Sequence, residues 1–498
     1  VGSSSTTATE AASAESTTEH SSVSAQTTTG SQSVPATQST SSQSTKSAAL
    51  VSSPVVTEPV AAETVSPPVV TAAAAPSIPW VLQVSGSGGD PYNDAMNYHI
   101  AGFFGAVQAL ITQLPLADPF REALSGTAYT MRRTLLNQAP TVAPLQLTGT
   151  SDTAVTGHVA AVDPDGDQIA YHVVQGPASG TLQLNSDGSF TYTPPADFEG
   201  VASFVVMAQD LGLHVNVLNP FRGAGSSAGA LVNEGAIKFS FNYTTGADSW
   251  STEARDALAS SANAITAYFL VTHPVTLTYD VTGENSPTSS TLASAGSDLI
   301  GNAPGFWRTV VQNKLISGVD SNGAAADGSI SWNFGSDWDY GDSVAADKFD
   351  FDAVAMHELM HSFGFLSYTS KPGENTNRYW SILDSFITTS TGAKVIGPDY
   401  TWNTAYDPNL IGGNGGLYLA GANAVAGYDG ALVPIFTPDP WEEGSSTSHL
   451  DDATFNGVSQ KLMNAKTDTG PGVRILSPIE LGILKDMGYT VVIPSVPV

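Results

Sequence analysis

The chain has 498 residues, with 17 Lys and Arg against 46 Asp and Glu, and its formal net charge of −29 argues against nucleic acid or anionic membrane as the main partner. It contains no cysteine, which excludes a disulfide framework, a thiolate metal site and a cysteine nucleophile, so any transition metal must be held by histidine and carboxylate. The length is more than one ordinary core serves, and several domains are expected.

Residues 1–78 are built almost entirely from Ser, Thr, Ala, Val, Pro and Gln. So few large apolar side chains cannot offset the entropy of ordering, and a disordered stalk is expected there. Its composition also suits O-glycosylation. The chain starts at Val1 rather than Met, so export after removal of a signal peptide, to a secreted or cell-surface location in a bacterium, is the expectation. No uninterrupted apolar run reaches the length of a membrane span: Ala101 to Ala117 is broken by Gln108, Gln113 and Pro115, and no transmembrane anchor is expected. Within 79–136, Ile100, Phe103, Phe104, Val107 and Ile111 recur at helical spacing, and Pro115 and Pro119 mark a break, predicting a short helical hairpin.

Over 137–212 the period changes to that of strands, at Gln168 to Val174, Gly188 to Thr193 and Ala202 to Ala208, which predicts an all-β sandwich. Asp163, Asp165 and Asp167 surround the turn at Gly166, and Ca²⁺ is a hard cation that collects several such oxygens. An EF-hand is excluded because Val174 stands where its loop needs Glu. The phrase Asp163-Pro-Asp-Gly-Asp167, followed by Gly188-Ser-Phe-Thr-Tyr-Thr-Pro194 and Asp210, resembles cadherin-like and bacterial Ig-like modules. The resemblance implies structural calcium held by Asp163, Asp165, Asp167 and Asp210, and a module able to meet a cell-surface partner; a plain Asp-rich turn without metal stands beside it.

Residues 213–498 alternate between strands and helices, predicting an α+β domain: strands at Ala236 to Tyr243 and Val275 to Val281, an edge strand at Ser329 to Phe334, and helices from Thr252 to about Leu270 and from Ser477 to Met487. At its centre lies Phe349-Asp-Phe-Asp-Ala-Val-Ala-Met-His-Glu-Leu-Met-His-Ser-Phe-Gly364. Asp350 and Asp352 favour a helix start, and Gly364 favours a helix end. Met356, Leu359, Met360 and Phe363 predict a buried apolar stripe, with His357 and His361 one turn apart on another face, where both imidazoles reach one ion. Glu358 is rotated about 100° from His357 and is better placed to contact a water than the metal. Zinc held by imidazoles lowers the pKa of its water toward about 7, and a carboxylate beside that water can take its proton during attack on a peptide carbonyl.

His357, Glu358, His361 and Gly364 resemble the motif of the metzincin clan of zinc peptidases, but Ser367 stands where the clan's compact motif has its third histidine. Of the nine histidines, His449 alone follows the motif helix and is the expected third ligand. Glu374 is the rival, although it falls in a loop rather than on a second helix. His449, Phe365 after Gly364, and the downstream Lys461-Leu-Met-Asn-Ala465 resemble the leishmanolysin-like branch of the clan, as does the closing Ser477 to Tyr489. The resemblance implies that Met463 packs beneath the metal in a Met-turn. Asp384 is a candidate for orienting a ligand imidazole. The implied function is an exported zinc metalloendopeptidase, a hydrolase acting on protein or peptide substrates; the alternative is an inactive adhesion or scaffolding protein built on a peptidase fold.

Overall fold

The structure is a computed structural model that describes residues 23–27 and 91–494, apart from 143–144, 149–153, 160, 164, 212–214 and 219–224. Most of the expected stalk lies outside the described residues. Its five described residues, Val23–Thr27, form a strand (β1) rather than a disordered segment. Backbone pairing on both sides orders them, and such pairing does not depend on large apolar side chains.

The helical segment is a hairpin of Pro91–Gln113 (α1) and Asp118–Leu135 (α2), with Pro119 in the first turn of α2, where its missing N–H costs nothing. Among the described residues no helix is long and apolar enough to cross a membrane.

The next unit is a sandwich of two sheets. Leu145–Thr148 (β2), Ile169–Gln175 (β4), Gly200–Asp210 (β7) and Gly225–Glu234 (β8) form one in the order β2-β8-β7-β4, and Val155–His158 (β3), Thr181–Leu184 (β5) and Ser189–Thr193 (β6) form the other in the order β3-β6-β5. Alternation along β7 buries Ala202, Phe204, Val206 and Ala208, and along β6 it buries Phe190 and Tyr192. Phe190, Tyr192 and Phe204 meet between the sheets. The strand pairing carries the sandwich past the expected boundary at residue 212. β8 pairs with β7 along its whole length, from Gly225↔Gln209 to Glu234↔Gly200, so the module runs to Glu234. The sequence obscures this because β8 is rich in Gly, Ala and Ser.

Asn233 ties the sandwich to the C-terminal α+β unit. Its side-chain amide exchanges two hydrogen bonds with the Val271 backbone, at 3.1 and 2.7 Å, as a neighbouring strand would.

The α+β unit is built on a sheet of six strands in the order β9-β10-β12-β11-β1-β13, where β9 is Ile237–Tyr243, β10 Val275–Glu284, β11 Thr291–Gly296, β12 Gly328–Asn333 and β13 Lys466–Thr467. The first three strands run parallel, and β11 runs antiparallel to both β12 and β1. β12 is therefore interior rather than the expected edge strand; Ile330 and Trp332 are buried. Helices α3 (Thr252–Thr266), α4 (Val310–Ser317), α5 (Phe351–Ser362), α6 (Ala422–Gly427) and α7 (Pro478–Asp486) complete the unit. α5 packs against α3 and lies alongside β11. Phe351, at its start, packs at a tilt against Trp332 with ring centroids 4.1 Å apart, and burying such a ring contributes roughly 1.5–3 kcal/mol.

Candidate metal centre

α5 differs from its expected form in one respect. The expected stripe of Met356, Leu359, Met360 and Phe363 is buried, but so is every residue from Phe351 to Ser362, the histidine face included. The helix is enclosed by α3, the sheet and the returning C-terminal chain, and polar side chains on it need internal partners.

Those partners fix both ends of the helix. Asp350 caps it, accepting from Ala353 N at 2.9 Å, while Gly472 N and the Arg474 guanidinium fork hold the same carboxylate at 2.8–3.1 Å. Asp352 accepts from Ser261 Oγ and Gly341 N, each at 2.9 Å. At the other end Ser362 meets Tyr279 OH at 2.7 Å, and Gly364 turns the chain at φ +94°. A Cβ on Gly364 would also stand 2.9 Å from Gln312 Oε1, so the position requires glycine on two counts.

The turn at Gly364 aims the Phe365 carbonyl back at the helix, where it accepts from His361 Nδ1 at 2.7 Å. His357 Nδ1 donates to Leu462 O at 2.7 Å, and His449 Nδ1 donates to Ser445 O at 2.8 Å. A carbonyl has no proton to offer, so each ring carries its proton on Nδ1 and presents a bare Nε2. The three Nε2 atoms face one another at 2.9, 3.1 and 3.1 Å. Burial holds the rings neutral: it lowers the His357 pKa to about 4 and that of His449 to about 3, and drives His361 far below its ordinary value.

Three converging lone pairs without a proton between them repel, and a cation turns that repulsion into attraction. Three corners of a tetrahedron about 2.0–2.1 Å from a zinc ion lie about 3.3 Å apart, a few tenths of an ångström wider than the spacings seen here. The residues fit zinc. Asp163, Asp167 and Asp210 form the other metal-sized group among the described residues.

His449 reaches the centre because two loops are laced together. Ser367 N donates to Ser448 Oγ at 3.0 Å, and Thr369 Oγ1 meets Thr447 Oγ1 at 2.6 Å. Ser367, at the position where the resemblance would set a third histidine, thus helps to seat the residue beside His449. Asp384 touches no imidazole: its oxygens accept from Ser367 Oγ at 2.6 Å, Tyr368 N at 3.0 Å and Ser381 N at 2.9 Å. Glu374 is exposed and pairs with Lys371 at 2.9 Å, away from the three histidines. Met463 is fully buried directly after Leu462; its N–H donates to Glu480 Oε1 at 2.8 Å, and its carbonyl accepts from Leu450 N at 2.8 Å. Glu358 is 1% exposed, next in sequence to His357.

Sequence reasoning missed the carbonyls that orient the rings, which no side-chain pattern encodes, and it missed Arg474. Glu480 carried a legible signal. Ser477 and Glu480 have capping-box spacing, and the box forms, with Glu480 extended from it to hold the Met463 backbone.

In the sandwich, Asp163, Asp167 and Asp210 converge, whereas Asp165 turns away from that group, accepting from Gln138 N at 2.6 Å and pairing with Arg132 at 2.8 Å. Asp167 also meets Arg133 and, at 2.6 Å, the Asn137 amide. Of the four aspartates expected around calcium, three therefore form the group, and α2 supplies counter-charge to the loop.

No curated protein matches the chain. Among solved structures it is similar over small parts to an endo-fucoidan hydrolase of glycoside hydrolase family 107, at 19% identity over 19% of this chain and 15% of that one, with a TM-score of 0.15. The human desmocollin-1 ectodomain gives 16% identity over 22% and 24% of the two chains, with a TM-score of 0.15. A 2,6-sialyltransferase from Photobacterium sp. JT-ISH-224 gives 13% over 31% and 27%, with a TM-score of 0.16. The chain thus spans less than a third of each of these structures, and scores so low bear on neither fold nor activity. Residues 137–217 match the bacterial Ig domain family, which accounts for the first part of the sandwich.

Proposed function

We propose that the chain is a zinc-dependent endopeptidase of the metzincin type, with His357, His361 and His449 as ligands and Glu358 as general base and acid. One observation carries this reading: three buried imidazoles, each pinned through Nδ1 to a backbone carbonyl, turn three bare nitrogens toward one point, with Glu358 beside the first of them. When bound, zinc would polarise the substrate carbonyl and acidify a water molecule. The Glu358 carboxylate would take a proton from the attacking water as the water's oxygen bonds to the substrate carbonyl carbon. It would then pass that proton to the amide nitrogen as the C–N bond breaks, leaving one carboxylic acid, which keeps the water's other proton until it ionises, and one amine. The carbonyls of Leu462, Phe365 and Ser445 hold the rings in the tautomer that presents Nε2.

An inactive adhesion or scaffolding protein has less support, because a structural zinc site needs no buried carboxylate next to its first ligand. In the sandwich, calcium at Asp163, Asp167 and Asp210 would be structural, and export to the cell surface suits the Ig-like module. The test is purified full-length chain on an unfolded protein substrate, with a chelator and then with zinc restored. Cleavage should stop and return. Zinc at one per chain with absent or chelator-insensitive cleavage would overturn the peptidase reading and favour the scaffold.

A further inference from the structure

A cavity of about 410 Å³ lies in the α+β unit, and none of the three histidines lines it. Its volume falls within the range of small-molecule sites, roughly 300–1,000 Å³. One wall is Phe306, on the short strand Gly305–Trp307, which pairs in parallel with Tyr379–Ser381. Ile387, Ile396, Pro398 and Tyr400 make most of the rest. Asp384 also lines the cavity, but its oxygens accept from Ser367 Oγ, Tyr368 N and Ser381 N, so three donors already meet its charge.

Tyr400 holds its place against the preference of its backbone. Its N–H donates to the Gly397 carbonyl at 2.9 Å, and Gly397 N donates to the Thr401 carbonyl at 2.9 Å, which closes a tight hairpin loop. Tyr400 ends that loop at φ +63°, in the left-handed region that such loops ordinarily give to glycine. A tyrosine there strains the chain, and strain of this kind gathers at binding sites. What it supplies that glycine cannot is a ring, set edge-on to Phe306 with centroids 5.5 Å apart.

The cavity carries one cation, Lys394. Among the described residues its ammonium meets the Ser385 carbonyl and, at 5.9 Å, the Phe386 ring, and no carboxylate. By contrast Lys238, Lys314, Lys348, Lys371 and Lys466 each pair with an acid, as 46 acidic residues against 17 basic ones would lead one to expect. Desolvation lowers the Lys394 pKa with no neighbouring acid to offset it, so an anion arriving beside it gains a charge-assisted contact that the fold leaves open.

We propose that this cavity binds a small aromatic carboxylate, with its ring against Phe306 and Tyr400 and its carboxylate on the Lys394 ammonium. A free aryl-alkanoic acid and a peptide ending in phenylalanine offer the same chemistry. The proposal stands apart from the peptidase reading, because no zinc ligand takes part.

The test uses the full-length chain loaded with zinc and again with a chelator present, since a carboxylate could also bind at the metal. 3-Phenylpropionate and acetyl-Gly-Gly-Phe with a free C-terminus are titrated by calorimetry, with 3-phenylpropanol and the peptide amide as controls that lack the carboxylate. At least one acid should bind with a Kd of about 1 mM or tighter, equally in both metal states and at least about tenfold more tightly than its control. The acid that binds more tightly identifies the source. Lys394→Met keeps the apolar stem and removes the charge, and should weaken that binding at least about tenfold, whereas Lys394→Arg should hold it within a factor of about three. Tyr400→Gly removes the ring and suits the backbone, and should weaken binding at least about fivefold while circular dichroism shows an unchanged fold. Absence of binding by either acid at about 10 mM, binding that the chelator abolishes, or binding that Lys394→Met or Tyr400→Gly leaves unchanged overturns the proposal.

Discussion

His449→Ala perturbs the centre at the one proposed ligand that the motif helix does not supply. The substitution removes a nitrogen 3.1 Å from both helix ligands and leaves a fully buried hole. Ser445 O loses one donor but keeps Ser448 N at 3.2 Å, so the folding cost in the metal-free protein comes mainly from the cavity. Losing only a partner that orients a ligand weakens metal binding roughly 10–100-fold, so losing a ligand should exceed about 100-fold. At a zinc concentration about 100 times the parent's Kd, the parent gains about 2.7 kcal/mol, whereas the variant, now at or below half-saturation, gains less than about 0.4 kcal/mol. For a unit of this size that is a zinc-induced rise of roughly 5–11 °C in Tm reduced to about 1 °C. Calorimetry of both proteins, metal-free and with zinc, separates the folding loss from the binding loss, and metal analysis after dialysis gives the stoichiometry. A variant that keeps one zinc per chain and the full thermal gain would refute the three-histidine centre.

Glu358→Gln should keep zinc while cleavage falls about 10²–10⁴-fold; turnover within a factor of about three of the parent would remove Glu358 from proton transfer. Gly364→Ala forces a methyl group into positive φ against Gln312, so urea unfolding should show a loss above about 1 kcal/mol, with weaker zinc binding as the Phe365 carbonyl shifts; an unchanged midpoint would contradict the described turn. Burial raises the Asp452 pKa from 3.8 to about 6, and among the described residues its Oδ2 has no hydrogen-bond partner. The folded chain therefore keeps a proton that the unfolded chain releases, so this contribution is full below about pH 4 and falls as pH rises to about 6, by at most about 3 kcal/mol. Asp452→Asn, which retains an acceptor for Ala465 N, should flatten stability over that window, and an unchanged slope would refute the assignment. Millimolar calcium should raise the Tm of the sandwich, and Asp210→Asn should abolish the rise; a calcium-indifferent parent would leave Arg132 and Arg133 as the counter-charge of the loop.

What was legible in the sequence was local or countable. The start and stop of α5 were written in Asp350 and Gly364, the i, i+4 histidines shared a face, and only one histidine was left downstream. What stayed hidden was encoded at long range or in the backbone. Arg474 reaches Asp350 across 124 residues, and the carbonyls of Leu462, Phe365 and Ser445 have no side-chain signature. The apolar stripe on α5 was an incomplete guide because the helix is enclosed on all sides, so its periodicity carries little information. β8 and β1 were missed for a common reason: Gly-, Ala- and Ser-rich strands take their order from neighbouring backbones, and composition cannot report that.

The lacing of Ser367 to Ser448 and of Thr369 to Thr447 has a consequence for how such a chain can change over time. It closes a neck at the base of everything between those positions, beside backbone bonds in which Phe436 N donates to His449 O and Thr447 N to Phe436 O. Doubling a flexible loop adds only about 0.6 kcal/mol of closure entropy, and the excursion is held besides by its own buried side chains, among them Trp380, Leu417 and Ile435. Its exposed tips could lengthen, shorten or be rewritten, and with them the walls around the site, while the three nitrogens stay where they are. The serine that breaks the compact motif would then be the knot that lets the rest of the loop vary.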